Sequence, residues 1–144
     1  MTKLTPHFTL EEFTHSQTAA RLGIDNDLPV QLRETAIKTC QGLEHVRVIL
    51  NAHAILISSG YRCKALNDAV GSKDSSQHRK AEAVDFTAPT FGDVRRIVTI
   101  LRDSELVFDQ LIAEFNAWVH ISFVDSNPRQ QVLVIDKFGT RPFI

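Results

Sequence analysis

The 144-residue sequence is poor in the features that mark a cross-linked, membrane-spanning or nucleic-acid-binding protein. Its two cysteines, Cys40 and Cys63, are too few to hold a fold together, and we interpret both as reduced thiols. No apolar run approaches the roughly 20 residues that a membrane-spanning helix needs. The 16 basic and 17 acidic side chains nearly balance, so no basic surplus favours nucleic acid as a partner. The class of protein left by these exclusions is a globular protein with an ordinary apolar core.

The N-terminal region also lacks the apolar segment of a secretory signal peptide, so we expect synthesis in the cytoplasm. No repeat, low-complexity segment or Pro/Gly-rich linker divides the chain, and its length suits one domain. We therefore predict a single domain over residues 1–144, with a core at about 8–124 and a C-terminal strand and tail at 125–144. We expect it to be a monomer with no membrane span.

Helical patterns come mainly in the first half of the chain. Thr9 followed by Glu12 predicts a short helix with a capping box. Pro29 introduces a longer helix, because apolar residues then recur at spacings of three and four as far as residue 50. Further helices are predicted over residues 64–70 and, after a proline, over 91–102.

Strand patterns come mainly in the second half. The predicted strands cover residues 54–60, 82–87, 108–115, 118–124 and 131–136, of which the first reads as buried. Asn116 and Ala117 join the third and fourth of them, which suggests a tight hairpin. Helices followed by sequential strands favour the α+β class, with helices packed against a central antiparallel sheet.

The segment from Ser76 to Asp85 has the strongest local signal for chemistry. His78 ends a polar loop, and Asp85 lies inside the apolar run Ala83-Val84-Asp85-Phe86. A carboxylate in such a run needs a partner, because buried charges are normally paired or metal-bound. Imidazole and carboxylate both suit Zn²⁺, although Asp85 could equally form an ion pair with Arg62 or Lys80.

His120 raises the same question in the predicted strand Trp118-Val119-His120-Ile121-Ser122-Phe123. Side chains alternate between the two faces of a strand, so the apolar face is complete without the histidine. His120 therefore lies on the face where it could bind a metal, unless it is a hydrogen-bonded structural residue.

These motifs together resemble the M15 family of zinc D,D-peptidases, in particular its small phage-associated branch. The family includes D-alanyl-D-alanine carboxypeptidases and phage endolysins. The resemblance spans roughly residues 8 to 124 and implies a compact α+β fold. It rests on Ser59-Gly60-Tyr61-Arg62, Ser76-Gln77-His78 with Ala83 and Asp85, and Trp118-Val119-His120.

The resemblance implies that His78, Asp85 and His120 bind one zinc ion. It assigns Arg62 to the substrate near the scissile carbonyl and Ser76 to the terminal carboxylate of the substrate. Gln77 and Trp118 are expected to contribute to substrate binding. The substrate implied is a peptidoglycan peptide, so the site of action is the cell wall or periplasm, reached after lysis or through a delivering partner.

Two positions depart from the family pattern. Ala81 stands where the family signature has glycine, and Ala117 stands where many members have a glutamate. Glu114 is the nearest candidate for the missing general base, because a tight hairpin could bring it beside His120. Asp109 and Glu82 are more distant alternatives.

The sequence thus predicts zinc-dependent hydrolysis of peptide bonds that involve D-amino acids, by a D,D-carboxypeptidase or an endopeptidase. Ala117 keeps a second hypothesis open, a non-catalytic zinc-binding module of the same fold that recognises wall peptide or a protein. A third hypothesis is a phage structural component in which the metal only stabilises the fold.

Overall fold

A six-stranded sheet with helices on one face organises the chain, and a computed structural model describes all residues from Met1 to Ile144. The strands are β1 (Lys3–Thr5), β2 (Phe8–Thr9), β3 (Leu56–Ser59), β4 (Ala83–Thr87), β5 (Gln110–Glu114), β6 (Trp118–Ser122), β7 (Gln131–Asp136) and β8 (Gly139–Pro142). The helices are α1 (Leu10–Thr14), α2 (Gln17–Leu22), α3 (Arg33–Ile49), α4 (Lys64–Ala69) and α5 (Val94–Arg102). Short 3-10 turns cover Val30–Leu32 and Gln77–Lys80.

The strand order in the main sheet is β3-β4-β6-β5-β7-β8, while β1 and β2 form a separate pair. Neighbouring strands are antiparallel except β5 and β7, which are parallel. The exception arises because β6 ends beside the start of β5, and the connection over residues 123–130 crosses to the other side of β5 before β7 begins. The predicted α+β class with helices against a mostly antiparallel sheet is confirmed.

Local capping explains where the helices begin. The Thr9 side chain accepts from the Glu12 backbone N–H and the Glu12 side chain accepts from Thr9, so the predicted capping box is present. Helix α5 begins at Val94, three residues later than predicted, because the Asp93 side chain accepts from the Arg96 backbone N–H at 2.9 Å.

One face of the sheet carries the hydrophobic core. Helix α3 buries residues that include Cys40, Leu43 and Val46 against it, and α5 adds Ile97 and Leu101. Burial raises the pKa of Cys40 to about 12, so this thiol is an inert part of the core.

Strand β3 differs from the prediction of a buried strand over residues 54–60. It covers only Leu56–Ser59 and lies at the edge of the sheet, with Leu56 53% exposed. A short apolar run has the same sequence pattern in a central strand and in an edge strand, because the run does not show which strands pair with it. No helix of the protein has the length and apolar character required to cross a membrane.

Candidate metal centre

The face of the sheet opposite the core brings two of the predicted ligands together. Asp85 of β4 lies directly opposite His120 of β6 in the antiparallel register. Residues that face each other across neighbouring strands share one face, with Cβ atoms about 5 Å apart. Asp85 Oδ1 lies 2.9 Å from His120 Nδ1. His120 thus lies on the face away from the core, as the alternation in its sequence predicts.

His78 reaches the same point from the 3-10 turn before β4. Its Nδ1 lies 2.7 Å from the carbonyl oxygen of Gly60, which can only accept, so this nitrogen carries the proton. The other ring nitrogen, Nε2, then faces Asp85 Oδ1 at 3.3 Å. Orientation of a ligating imidazole through its other nitrogen is common in metal sites.

Gly60 is required for this contact. A Cβ at this position would overlap the backbone carbonyl of Phe13, and the next residue, Tyr61, donates its N–H to the same carbonyl at 2.8 Å. The close approach of two backbones leaves no room for a side chain. Gly60 can therefore present its own carbonyl to His78.

His78, Asp85 and His120 form a buried cluster whose potential ligand atoms all lie within 4.8 Å of one another. Their exposed fractions are only 3%, 6% and 9%. Burial opposes ionisation of Asp85, but the two histidines outweigh it and hold the pKa of this carboxyl below its usual range. Two imidazole nitrogens and one carboxylate are a donor set that suits zinc. The cluster can therefore bind a metal ion.

Arg62 lies at the edge of the cluster. Its Nη2 is 3.6 Å from Asp85 Oδ2, its Nε donates to Ser59 Oγ at 3.3 Å, and its backbone N–H donates to the carbonyl of His78. Burial lowers the pKa of Arg62 while Asp85 raises it, and a guanidinium remains charged throughout. Of the two predicted ion-pair partners of Asp85, the structure brings Arg62 close, whereas Lys80 is exposed and makes no ion pair.

Glu114 lies beside the cluster on the neighbouring strand β5, opposite Trp118 of β6. Trp118 Nε1–H donates to Glu114 Oε2 at 3.1 Å, and Glu114 Oε1 lies 3.9 Å from His120 Nδ1. Burial and the nearby Asp85 carboxylate raise the pKa of Glu114. The connecting turn spans Phe115 to Ala117, one residue longer than the predicted Asn116-Ala117 turn.

The two alternative carboxylates lie elsewhere. Asp109 is buried and accepts two hydrogen bonds from the guanidinium of Arg129, at 3.0 and 2.6 Å. These bonds lower the pKa of Asp109 to about 2. Glu82 lines a pocket next to α3 together with Lys38 and Phe123. Neither carboxylate belongs to the cluster around Asp85.

Two of the other predicted substrate-binding residues, Ser76 and Gln77, line a groove that begins at the cluster, whereas Trp118 is not among the residues that line it. Ser76 and Gln77 form part of one wall, and His120 and Glu114 lie at the metal end of the floor. The Ser76 hydroxyl also accepts from the backbone N–H of His78, and the Gln77 amide donates to Asp109 at 3.0 Å. These two residues thus support the turn that carries His78 as well as facing the groove.

Several buried polar residues that support the site were not predicted. The Asn67 amide donates to the carbonyl of Lys73 at 2.8 Å and so anchors the loop before His78. Asn26 donates to the carbonyl of Tyr61 and accepts from the backbone N–H of Cys63, which brackets Arg62. An isolated asparagine gives no signal of burial in the sequence.

Ala81 occupies the position where the family signature has glycine, and its φ of 60° lies in the left-handed region. Its carbonyl accepts from the Thr39 hydroxyl at 2.7 Å. Glycine adopts this conformation without a penalty, which accounts for its place in the signature. Here an alanine methyl is fully buried at the same point.

Comparison with known proteins agrees with this geometry. The family model described as Peptidase M15 matches residues 6–122, which is most of the chain and includes every residue of the cluster. No curated protein matches the sequence. The match confirms the family predicted from the motifs, and residues 123–144 lie beyond it.

Proposed function

Because the chain belongs to the Peptidase M15 family, we propose that it is a zinc-dependent peptidase acting on peptidoglycan stem peptides. The bonds cut would involve D-amino acids, as in a D,D-carboxypeptidase or an endopeptidase. One observation carries the proposal: a buried His78-Asp85-His120 cluster has the carboxylate of Glu114 beside it, 3.9 Å from His120.

His78 through Nε2, His120 through Nδ1 and Asp85 through its carboxylate would hold the metal. When bound, zinc supplies positive charge that favours deprotonation of water and polarises a peptide carbonyl. Two neutral imidazoles and one carboxylate leave the site with net positive charge. Their burial strengthens its effect, because little water screens it.

Glu114 would act as the general base. It would take a proton from the attacking water and pass it to the leaving amine of the substrate. Burial and Asp85 raise its pKa, which makes the carboxylate a better proton acceptor than an exposed glutamate. The bond from Trp118 holds Oε2, and Oε1 is left facing the cluster.

Arg62 would stabilise negative charge that develops on the carbonyl oxygen during attack. Its guanidinium is mostly buried and is positioned by Ser59, Asn67 and Asp85. A positioned donor of this kind avoids reorganisation at the moment of reaction. Ser76 and Gln77 would contact the substrate from the wall of the groove. Trp118, which donates to Glu114, would contact it beside the base.

The proposed partner is a peptidoglycan peptide, and the proposed place of action is the cell wall or periplasm, reached after lysis or through a delivering protein. Digestion of purified peptidoglycan, analysed by mass spectrometry, would identify the bond that is cut. Metal analysis of the same preparation should give one zinc per chain.

Replacing Glu114 by Gln tests the mechanism. Zinc content should stay at one per chain, while cleavage falls by about 10²–10⁴-fold through loss of the base. Glu105→Gln is the matched control, since Glu105 is exposed and makes no ion pair, and it should leave cleavage unchanged. Unchanged cleavage in Glu114→Gln would remove Glu114 from the mechanism.

Ala117 supports the competing function, a non-catalytic zinc-binding module that recognises wall peptide or a protein partner. That function predicts stoichiometric zinc and peptide binding without cleavage by the wild-type protein. A purely structural metal would instead give a chain that loses its fold on chelation and binds no peptide.

A further inference from the structure

The groove at the metal centre continues well past it, across strands that lie beyond the matched family region. It encloses about 540 Å³ between the loop over residues 72–77 and the open face of the sheet. His120 and Glu114 line its metal end, while Leu133, Ile135 and Thr140 of β7 and β8 line its far end. Strands β7 and β8 begin after residue 122, where the family match stops.

The sheet register makes the floor of this groove continuous. One cross-strand row runs Asp85, His120, Ile112, Leu133, and the neighbouring row runs Trp118, Glu114, Ile135, Thr140. Members of a row share one face of the sheet. The metal ligands and the candidate base therefore continue directly into an apolar shelf, which we define as Ile112, Leu133 and Ile135.

The shelf residues are not part of the hydrophobic core. Leu133 and Ile135 are partly exposed and point into the groove, whereas Val132 and Val134, which alternate with them, pack against the core cluster. Ile112 is buried but also lies outside that cluster. Aliphatic side chains on an open sheet face next to polar catalytic groups are typical of a binding groove.

We propose that the shelf binds the leaving-group side of the substrate and selects peptides with two or more residues beyond the scissile bond. This inference rests on the proposed peptidase function. Glu114 delivers its proton to the leaving amine, so the leaving group must lie on the Glu114 side of the metal. The shelf begins beside Glu114, because Ile135 is its neighbour in the register.

Distance sets which residue of the peptide reaches the shelf. Leu133 lies two strands from His120, which corresponds to about 10 Å at the usual strand spacing. An extended peptide advances about 3.3 Å per residue, so Leu133 meets the second or third residue of the leaving group. A small aliphatic side chain at that residue would cover Leu133 and Ile135. A single-residue leaving group would not reach them.

The experiment uses two synthetic peptides that contain the bond cut in peptidoglycan, one with a single-residue and one with a three-residue leaving group. The double variant Leu133→Thr with Ile135→Thr places β-branched residues, which suit a strand, at both positions while removing apolar surface. It should lower kcat/KM for the longer peptide by about tenfold and change the shorter one by less than about twofold.

Leu56→Thr is the matched control. Leu56 lies on the opposite edge strand β3, is 53% exposed and does not line the groove, so both peptides should be cleaved as by wild type. Zinc content should be unchanged in all variants. If the double variant loses kcat/KM equally on both peptides, or loses none on the longer peptide, the proposed role of the shelf is wrong.

Failure of the proposed function would be visible separately. If wild type cleaves neither peptide, titration calorimetry with a peptidoglycan stem pentapeptide decides the inference. A Kd at least about tenfold weaker for the double variant than for wild type and for Leu56→Thr would support the shelf. Equal binding to all three proteins, or no binding, would overturn it.

Discussion

The two faces of the central sheet are built from alternating residues of the same strands, yet their chemistry differs completely. On one face, Val84, Phe86, Val119 and Ile121 are fully buried members of a single hydrophobic cluster. On the other face, Asp85 and His120 form the candidate metal centre and continue into the groove. One step along a strand therefore separates the residues that hold the fold from those that carry the site.

Asp85 and Phe86 are adjacent in β4 and provide the most severe test of this division. Asp85→Ala removes the only carboxylate of the cluster, so zinc binding and peptide cleavage should fall to background. The protein should still fold, because the core face is untouched. Zinc content by elemental mass spectrometry and cleavage of peptidoglycan measure the loss.

Phe86→Ala should have the opposite outcome. Deleting this fully buried ring costs about 3–5 kcal/mol of the free energy of unfolding, measured by urea titration. The fraction that remains folded should bind zinc as wild type does. If Asp85→Ala lowered the free energy of unfolding more than Phe86→Ala, the division between the two faces would be wrong.

The sequence predicts features that depend on neighbouring residues better than features that depend on residues distant in the chain. Alternation is local, so the orientation of His120 away from the core could be inferred from residues 118–123 alone. The pairing of β4 with β6, and the parallel contact of β5 with β7, depends on residues distant in the chain. A run of apolar residues has the same sequence pattern whether another strand or solvent lies beside it.

The supporting residues show the same limit. His78 and Asp85 were found because a motif joins them, whereas Asn67 is recognised only once its buried amide is seen to hold the loop at Lys73. Strand β8 was missed as well. Its four residues, Gly139–Pro142, are all exposed and contain no apolar alternation. The residues of the candidate metal cluster could therefore be named from the sequence, but the groove that begins at the cluster could not.

Trp118→Phe sharpens the comparison at the hairpin, where a residue on the site face acts through a single hydrogen bond. The Trp118 N–H favours the ionised form of Glu114, so its removal raises the pKa of that carboxyl. On acidification, Glu114 of the variant is therefore protonated at a higher pH than Glu114 of wild type, and it then no longer acts as a base. The acid limb of the kcat/KM profile should move upward by about one pH unit or less.

The control for this shift is Phe115→Leu, since the Phe115 ring is tilted against the indole with centroids 5.7 Å apart but cannot donate a hydrogen bond to the Glu114 carboxylate. Its profile should superimpose on that of wild type. A limb that moves to lower pH in Trp118→Phe would show that the indole disfavours the ionised carboxylate, contrary to the geometry.

Ala81 belongs to both regions, and Ala81→Gly should therefore have the smallest effect. Its backbone ends the turn that carries His78, while its methyl group lies in the core cluster. Glycine would relieve a left-handed conformation that costs roughly 1–2 kcal/mol. Loss of the buried methyl group would lower stability by about 0.8 kcal/mol. The greater conformational entropy of the unfolded glycine chain would lower it further, by about 0.4–1 kcal/mol. These contributions nearly cancel, so urea titration should show a change below about 1 kcal/mol with zinc content unaltered. A larger gain in stability would mean that backbone strain at the site outweighs packing in the core, and a larger loss would mean the reverse.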